Sequence, residues 1–179
     1  MSAIVESAQN DHVEELSRLF YSFRMAHLNR RYYSERLARL KTWDTVFSVI
    51  VTVSTAASFA LLSFADFSHV KLVAAILAVI AFLASVAVPG LRLGRKIDDA
   101  SARTCAFHYA AQQLESALRF VKNSGEKNGE IAGWVNSAEE AYHQAMAMPD
   151  TEVEDRKLVK KVEDEINESF PPSYVWTAF

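Results

Sequence analysis

Two apolar runs without a charged side chain, separated by seven residues, constrain this 179-residue chain more than any other feature. The first run covers residues 45–64 and the second covers residues 72–91. At about 1.5 Å of rise per residue, each run makes a helix of roughly 30 Å, which matches the hydrocarbon core of a bilayer. The connector is too short to hold a domain, so we expect an antiparallel transmembrane hairpin. Long apolar helices also occur inside large soluble proteins, but this chain is too short to surround both runs.

The charges that flank the two runs predict the orientation of the hairpin. Residues 24–41 contain six basic side chains and one acidic side chain, and Arg92, Arg95 and Lys96 follow the second run. Short basic flanks stay in the cytoplasm, so both termini are expected to be cytoplasmic and the connector external. The polar first eleven residues do not resemble a signal peptide. A single cysteine, Cys105, excludes a disulfide within the chain and suits a reducing compartment.

The remaining sequence predicts helices only, so the expected fold class is an all-α membrane protein. We divide it into an N-terminal cytoplasmic helix (1–43), a transmembrane hairpin (44–92) and a C-terminal cytoplasmic helical region (93–179). After the second run, helices are expected over residues 94–121 and 130–148, and from Thr151, where Glu154 would complete a capping box.

The N-terminal segment has a seven-residue apolar pattern that is typical of coiled coils and requires a partner helix from the same or another copy of the chain. No proline or glycine separates this segment from the first run, so one continuous helix is compatible with the sequence. The pattern consists of Leu16, Leu19, Phe23, Ala26, Tyr33, Leu37 and Leu40.

Signals for catalysis are close to absent, and we expect neither an enzyme nor a bound cofactor or metal. Cys105 and His108 are one helical turn apart, but two unlike ligands without a second pair are a weak indication of a metal site. Residues 122–168 contain 12 acidic and 6 basic side chains. This acidic region argues against a nucleic-acid polymer as a partner, because phosphate backbones need neutralising cations.

The first run carries a stripe of hydroxyl side chains that could line a water-filled path. Two helices enclose no lumen, so a pore would need on the order of four or more copies. Alternatively, the hydroxyls bond to carbonyl groups of their own helix and pack against other helices. Phe59 lies in the same stripe and would either gate such a path or argue against it. The pore-lining candidates are Thr45, Ser48, Thr52, Thr55 and Phe59.

The second run has a face of small residues that predicts a helix-packing seam: Ala74, Ala78, Ala81 and Ser85. Pro89 lacks an N–H and predicts a kink near the cytoplasmic end. Pro89, Gly90 and Gly94 either mark the helix leaving the membrane or form a hinge. Neither run contains an ionisable residue, which leaves a simple anchor or a poorly selective pore.

The layout resembles the SLATT family (SMODS and SLOG-associating two-transmembrane effectors), which occurs beside nucleotide-signalling genes in bacterial conflict systems. The resemblance rests on residues 30–40, RRYYSERLARL, and residues 95–109, RKIDDASARTCAFHY. It implies an oligomeric effector of the bacterial inner membrane that permeabilises this membrane during abortive infection, an antiviral defence triggered by a nucleotide second messenger. The alternative is a non-conducting, membrane-anchored helical scaffold that docks a cytoplasmic partner.

The expected partners are therefore the lipid bilayer, further copies of the chain, and a cyclic nucleotide or a nucleotide-sensing protein. Arginine side chains form charge-assisted hydrogen bonds with phosphates, either of lipid headgroups or of nucleotides. The weak candidates for such contacts are Arg30, Arg31, Arg36, Arg39, Arg92, Arg95, Arg103 and Arg119.

Overall fold

The computed structural model describes residues 2–62, 68–124, 129–150, 152–171 and 173. Over these residues the chain forms five α-helices and no strand. The helices are α1 (Ser2–Leu62), α2 (Ser68–Leu91), α3 (Leu93–Ser124), α4 (Gly129–Ala147) and α5 (Arg156–Ser169). The prediction of an all-α chain is confirmed.

The start of α5 differs from the sequence prediction. Thr151, the predicted cap, lies outside the described residues, and the helix begins only at Arg156. Asp155 is the N-cap: its carboxylate accepts hydrogen bonds from the backbone N–H groups of Lys157 and Leu158, both at 3.1 Å. A carboxylate satisfies these otherwise unpaired N–H groups and complements the positive end of the helix dipole, so Asp155 is the better cap.

The chain divides into two compact units. The first unit consists of residues 1–34 and 101–179, and the second unit consists of residues 35–100. The first half of α1 therefore belongs to the same unit as α4, α5 and most of α3. The sequence-based division placed these parts in separate N-terminal and C-terminal segments.

The first unit is a four-helix bundle. The first part of the N-terminal apolar pattern packs within the chain, because Leu19 and Phe23 of α1 lie in one buried cluster with Leu114 and Leu118 of α3. A second cluster joins Tyr33 to residues of α3, α4 and α5. Its buried members are Tyr32, Tyr33, Phe107, Ala145, Leu158, Val162 and Ile166.

Contacts along α1 give the directions of two neighbouring helices in this bundle. Arg18 pairs with Glu139 at 2.9 Å, and further along α1 the Asn29 amide donates to the sulfur of Met146, so α4 runs parallel to α1. The ring of Phe23 packs against Phe170, whereas the hydroxyl of Tyr32 accepts from the backbone N–H of Asp155. These two contacts show that α5 runs antiparallel to α1.

The second unit contains the rest of α1, all of α2 and the first turns of α3. Within the described residues, α1 is the one helix long and apolar enough to cross a membrane. The candidate region is Val13–Ala60. It contains an 18-residue stretch with a mean hydropathy of 1.3, and 11% of that stretch is buried. The described apolar stretch of α2, Leu72–Val86, is shorter than a full span.

Candidate functional site

The second unit holds α1 against α2 through small side chains. The hydroxyl of Ser58 lies 2.7 Å from the carbonyl oxygen of Ser54 in its own helix and 3.4 Å from that of Ala74 in α2. Ser54, Ser58, Ala74 and Ala81 are all buried. Small residues let two helix backbones approach closely, and polar ones add hydrogen bonds across the contact. These residues therefore form the contact between the two apolar helices.

Ser54 and Ser58 were not among the residues predicted from the sequence. Two serines four residues apart place small side chains on one helix face, but hydroxyl side chains on other faces of the same run give the same signal. On α2, the predicted seam is divided: Ala74 and Ala81 are buried, whereas Ala78 and Ser85 are exposed. The hydroxyl of Ser85 donates to the carbonyl of Phe82 in its own helix at 2.8 Å.

All five pore-lining candidates are exposed side chains of α1 in the second unit. Thr45 donates to the carbonyl of Lys41 at 2.9 Å, and Thr52 donates to that of Ser48 at 2.8 Å. Phe59 is 69% exposed. The stripe therefore presents hydroxyl oxygens on the outside of the unit, with the protons of Thr45 and Thr52 bound to their own helix.

The interruption between α2 and α3 lies at Arg92. This residue has a φ of 49°, a left-handed conformation that costs a non-glycine residue roughly 1–2 kcal/mol. Its carbonyl accepts from the N–H of Lys96 at 3.1 Å, which closes the first turn of α3. An arginine does not predict a turn from sequence. The hinge candidates predicted from the sequence were Pro89, Gly90 and Gly94.

Those three hinge candidates flank this interruption without forming it. Pro89 and Gly90 lie in the last turn of α2, where the side chains are outside the described set. Gly94 lies in α3, and a Cβ added there would meet no atom within 4 Å. Packing around Gly94 therefore does not require a glycine.

Arg103 is the most deeply buried of the arginine candidates, with 6% of its surface exposed. Its guanidinium donates to the hydroxyl of Tyr33, to the carboxylate of Asp150 at 3.1 Å and to the carbonyl of Met148 at 2.7 Å. It also lies 4.8 Å from the centre of the Tyr33 ring, a cation–π distance. These contacts join α1 and α3 to the segment between α4 and α5.

Tyr33 completes this buried polar cluster. Its hydroxyl donates to Asp150 at 2.7 Å, and its ring stacks on Phe107 with centroids 5.8 Å apart. Burial, followed by the interaction with Asp150, raises the pKa of Tyr33 to about 12, so the hydroxyl keeps its proton at neutral pH. The cluster is thus a fixed hydrogen-bonded junction and not an acid–base pair.

The other arginine candidates are distributed between the two units. In the first unit, Arg31 pairs with Glu165 at 3.2 Å, Arg119 pairs with Glu115 at 2.6 Å, and Arg30 is half-buried. The remaining candidates belong to the second unit, where they are exposed or half-buried: Arg36, Arg39, Arg92 and Arg95.

Two histidines of the first unit are partly buried. His27 contacts the rings of Phe23 and Phe170 at centroid distances of 4.5 and 4.7 Å. Burial is the largest cause that lowers the pKa of His27; Arg30 and His108 lower it further, and Glu115 opposes them. The buried Nδ1 of His108 has no hydrogen-bond partner among the described residues.

Cys105 and His108 do not form part of a larger ligand set in the described chain. Cys105 is exposed on α3, whereas His108 is half-buried one turn later. Across the described residues, no three histidine, cysteine, aspartate or glutamate side chains come together in a way that could hold a metal ion. Comparisons with protein-family models, with curated proteins and with solved structures found no match to this chain.

Proposed function

We propose that this chain is an oligomeric two-transmembrane effector that permeabilises the bacterial inner membrane in a nucleotide-signalling antiviral system. The observation that carries this proposal is the distribution of polarity in the second unit. There the buried side chains of the α1–α2 contact are serines and alanines, while the large apolar side chains face outward. A bilayer is the solvent in which such an arrangement is stable.

The extent of the outward apolar surface supports membrane insertion over water exposure. Soluble monomers rarely expose contiguous apolar patches larger than a few hundred Å². The second unit exposes apolar residues along both helices: Val46, Val49, Ile50, Val53, Phe59, Leu72, Val73, Ile76, Val79, Ile80, Phe82, Leu83 and Val86. In water this apolar surface would drive aggregation, whereas in a bilayer it would contact the acyl chains of the lipids.

Helix length and connection support two spans. α2 has 24 residues, a length of about 36 Å at 1.5 Å per residue. The end of α1 and the start of α2 are joined by residues 63–67, and Ser58 contacts Ala74 on the other side of this connection. A connection of this length favours a hairpin with both ends on one face of the membrane. The basic flanks favour the cytoplasm as the location of that face.

The hydroxyl stripe supports a conducting assembly. Between residues 45 and 60, the exposed surface of α1 is apolar except for four hydroxyl side chains that lie outside the α1–α2 contact: Thr45, Ser48, Thr52 and Thr55. Several hairpins arranged with these stripes inward would enclose a narrow polar path. Phe59 would lie on the same path and narrow it.

A non-conducting scaffold is the second candidate, and a different observation favours it. Thr45 and Thr52 already donate to carbonyl groups of their own helix, which lets a threonine face lipid without an unsatisfied proton. In this function the hairpin only anchors the four-helix bundle, and the bundle docks a cytoplasmic partner.

Dye release from liposomes containing the full chain separates the two functions. We expect release from wild-type protein, either constitutive or upon addition of one member of a panel of cyclic nucleotides. Replacing Ser48, Thr52 and Thr55 together with leucine should reduce release to the level of protein-free vesicles, because an apolar constriction loses its water.

The matched control replaces Val46, Val49 and Val53 with leucine, three exposed positions of the same helix segment that carry no hydroxyl. This variant should release dye like the wild type. Absence of release from wild-type protein that is folded and inserted, under every nucleotide condition, would overturn permeabilisation in favour of the scaffold.

A further inference from the structure

In the first unit, α1 carries a row of side chains that α5 covers at one end. Arg24 donates to the side chain of Asn167 in α5, and Leu28 packs against the cluster to which α5 contributes Leu158 and Val162. Spacings of three and four residues place the members of the row on one face of the helix. The row consists of Val13, Ser17, Tyr21, Arg24 and Leu28.

The other end of the row extends past the end of α5. Phe170, directly after α5, packs against the ring of Phe23, so α5 itself ends before it reaches the level of Tyr21. All but one of residues 22–34 of α1 are buried or half-buried, whereas the members of the row beyond α5 are exposed. We call these exposed members the open row: Val13, Ser17 and Tyr21.

We propose that residues 174–179, which follow α5 in the same chain and lie outside the described residues, dock on the open row. Because α5 runs antiparallel to α1, the chain that leaves Phe170 beside Phe23 heads toward the start of α1. From Phe23 to Val13 the helix rises about 15 Å, at 1.5 Å per residue. Residues 171–179 span about 28 Å when extended, at 3.1 Å per residue, so they can reach the whole open row.

The backbone expected for this segment suits the spacing of the open row. Pro171 and Pro172 favour an extended conformation, because a proline lacks the N–H that a helix interior needs. In an extended chain, alternate side chains share a face and lie about 6.6 Å apart. Positions four residues apart on a helix are separated by about 6 Å along its axis. Tyr174 and Trp176 therefore match the spacing between Ser17 and Tyr21.

The chemistry of the segment also fits the open row. Residues 171–179 contain three aromatic side chains and no charged one, so docking would bury no ionised side chain of the segment. Burial, and after it the nearby Tyr21, raises the pKa of Tyr142 in α4, which places these two tyrosines next to each other on adjacent helices. Aromatic rings pack favourably against such a pair. Glu14 and Arg18 lie at the edge of the row, where both are exposed and can stay in water.

Photo-cross-linking on the full chain in detergent tests the proposal. Tyr21→p-benzoylphenylalanine places a photoreactive ring on the open row. The matched control is the same replacement of Tyr109, an exposed tyrosine of α3 in the same unit. We expect tandem mass spectrometry to locate the cross-link from position 21 within residues 174–179, and the control to give no such cross-link.

Denaturing gel electrophoresis identifies the chain that supplies the segment. A cross-link within one chain keeps the mass of a single chain, which is the expected result. A cross-linked species of twice that mass would overturn docking within the chain and assign the open row to a contact between copies. Absence of a cross-link from position 21 to residues 174–179 would overturn the proposal altogether.

The fluorescence of Trp176 provides a second measurement that requires no photoreactive residue. Trp43→Phe and Trp134→Phe leave Trp176 as the only tryptophan. We expect acrylamide to quench Trp176 less than it quenches tryptophan amide in the same detergent. Adding Ser17→Arg puts a charge in the middle of the open row and should raise quenching to the level of the amide.

Ser137→Arg is the matched control, at an exposed serine of α4, and should leave the quenching unchanged. Equal quenching in the Ser17→Arg protein and its parent would overturn the proposal, because Trp176 would then be shielded by something other than the open row. This inference concerns the first unit, so it does not depend on the membrane function proposed for the chain.

Discussion

The two units of this chain bury side chains of different size: large apolar ones in the first unit, and small ones at the α1–α2 contact of the second. In the first unit, Leu19, Phe23 and Phe107 are buried, and the described charged side chains other than Arg103 are at least partly exposed. In the second unit, Ser54 and Ser58 are inside and large apolar residues cover the outside. The same long helix, α1, contributes to both arrangements. The side chains of α1 that are buried therefore depend on the neighbouring helices in each unit and not on a pattern common to the whole helix.

The difference indicates which force holds each unit together. Apolar burial stabilises the first unit by about 25 cal/mol for each Å² removed from water. In the second unit, the close packing of small residues and the hydrogen bond from Ser58 to Ala74 join the two helices; if this unit lies in lipid, as proposed, no hydrophobic driving force acts between them. Substitutions at positions of equal chemistry in the two units should consequently have unequal effects.

The largest difference is expected from truncating one phenylalanine in each unit. Phe107→Ala removes a side chain that is 2% exposed and stacked on Tyr33, and should destabilise the chain by about 3–5 kcal/mol. Phe82→Ala removes a side chain that is 66% exposed and should have little effect. Thermal unfolding in detergent, followed by circular dichroism, measures both. A Phe82→Ala loss as large as that of Phe107→Ala would contradict the comparison.

A lysine on the outer surface should give the next largest difference. Val53 is 60% exposed in the second unit and Tyr21 is 63% exposed in the first. If the second unit lies in lipid, Val53→Lys places a charge near the middle of a span, at about 2.5–3.5 kcal/mol. Tyr21→Lys stays in water and should be tolerated. Resistance of the protein to alkaline extraction from membranes is the measurement, and equal resistance of both variants would argue against the span.

Enlarging the α1–α2 contact should have a smaller effect. Ser58→Leu adds a branched side chain where Ser58 faces the carbonyl of Ala74, and overpacking of this kind typically destabilises by about 1–3 kcal/mol. Ser58→Ala removes only a hydrogen bond and should lose about 0.6 kcal/mol. Thr55→Leu, at an exposed position three residues away, is the matched control and should melt like the wild type. A melting temperature unchanged by Ser58→Leu would show that this contact does not hold the helices together.

The first unit was the more predictable of the two from sequence. The seven-residue spacing of Leu16, Leu19, Phe23 and Ala26 identifies the buried face, because water selects apolar residues for the inside. The buried arginine was not predictable. Arg103 binds Tyr33, 70 residues away in the sequence, and Asp150, 47 residues away. A local sequence pattern does not predict partners at such separations.

In the second unit, hydroxyl residues occur on more than one face of the same apolar run. Periodicity alone did not distinguish Ser54 and Ser58, which contact α2, from Thr52 and Thr55, which face outward. The deciding fact is the position of the second helix, and in a run without charges the sequence holds no strong signal for it. The left-handed backbone of Arg92 was equally hard to predict, because it depends on the point at which α2 ends and α3 begins.

The smallest effect concerns pH and is confined to the first unit. The folded chain lowers the pKa of His27 from 6.5, chiefly through burial. Well above pH 6.5 this histidine is neutral in both the folded and the unfolded chain and does not affect stability. As the pH falls below 6.5, the unfolded chain binds a proton that the folded chain resists, so stability decreases until the lower folded-state pKa is passed.

His27→Phe keeps a ring between Phe23 and Phe170 and removes this proton. The drop in melting temperature between pH 7.5 and pH 5.5 should therefore be smaller in His27→Phe than in the wild type. His143→Phe, at an exposed position of the same unit, should keep the wild-type drop. An identical drop in all three proteins would show that His27 does not carry the pH dependence. A wild-type drop that His143→Phe abolishes would assign it to the surface of the bundle and not to its interior.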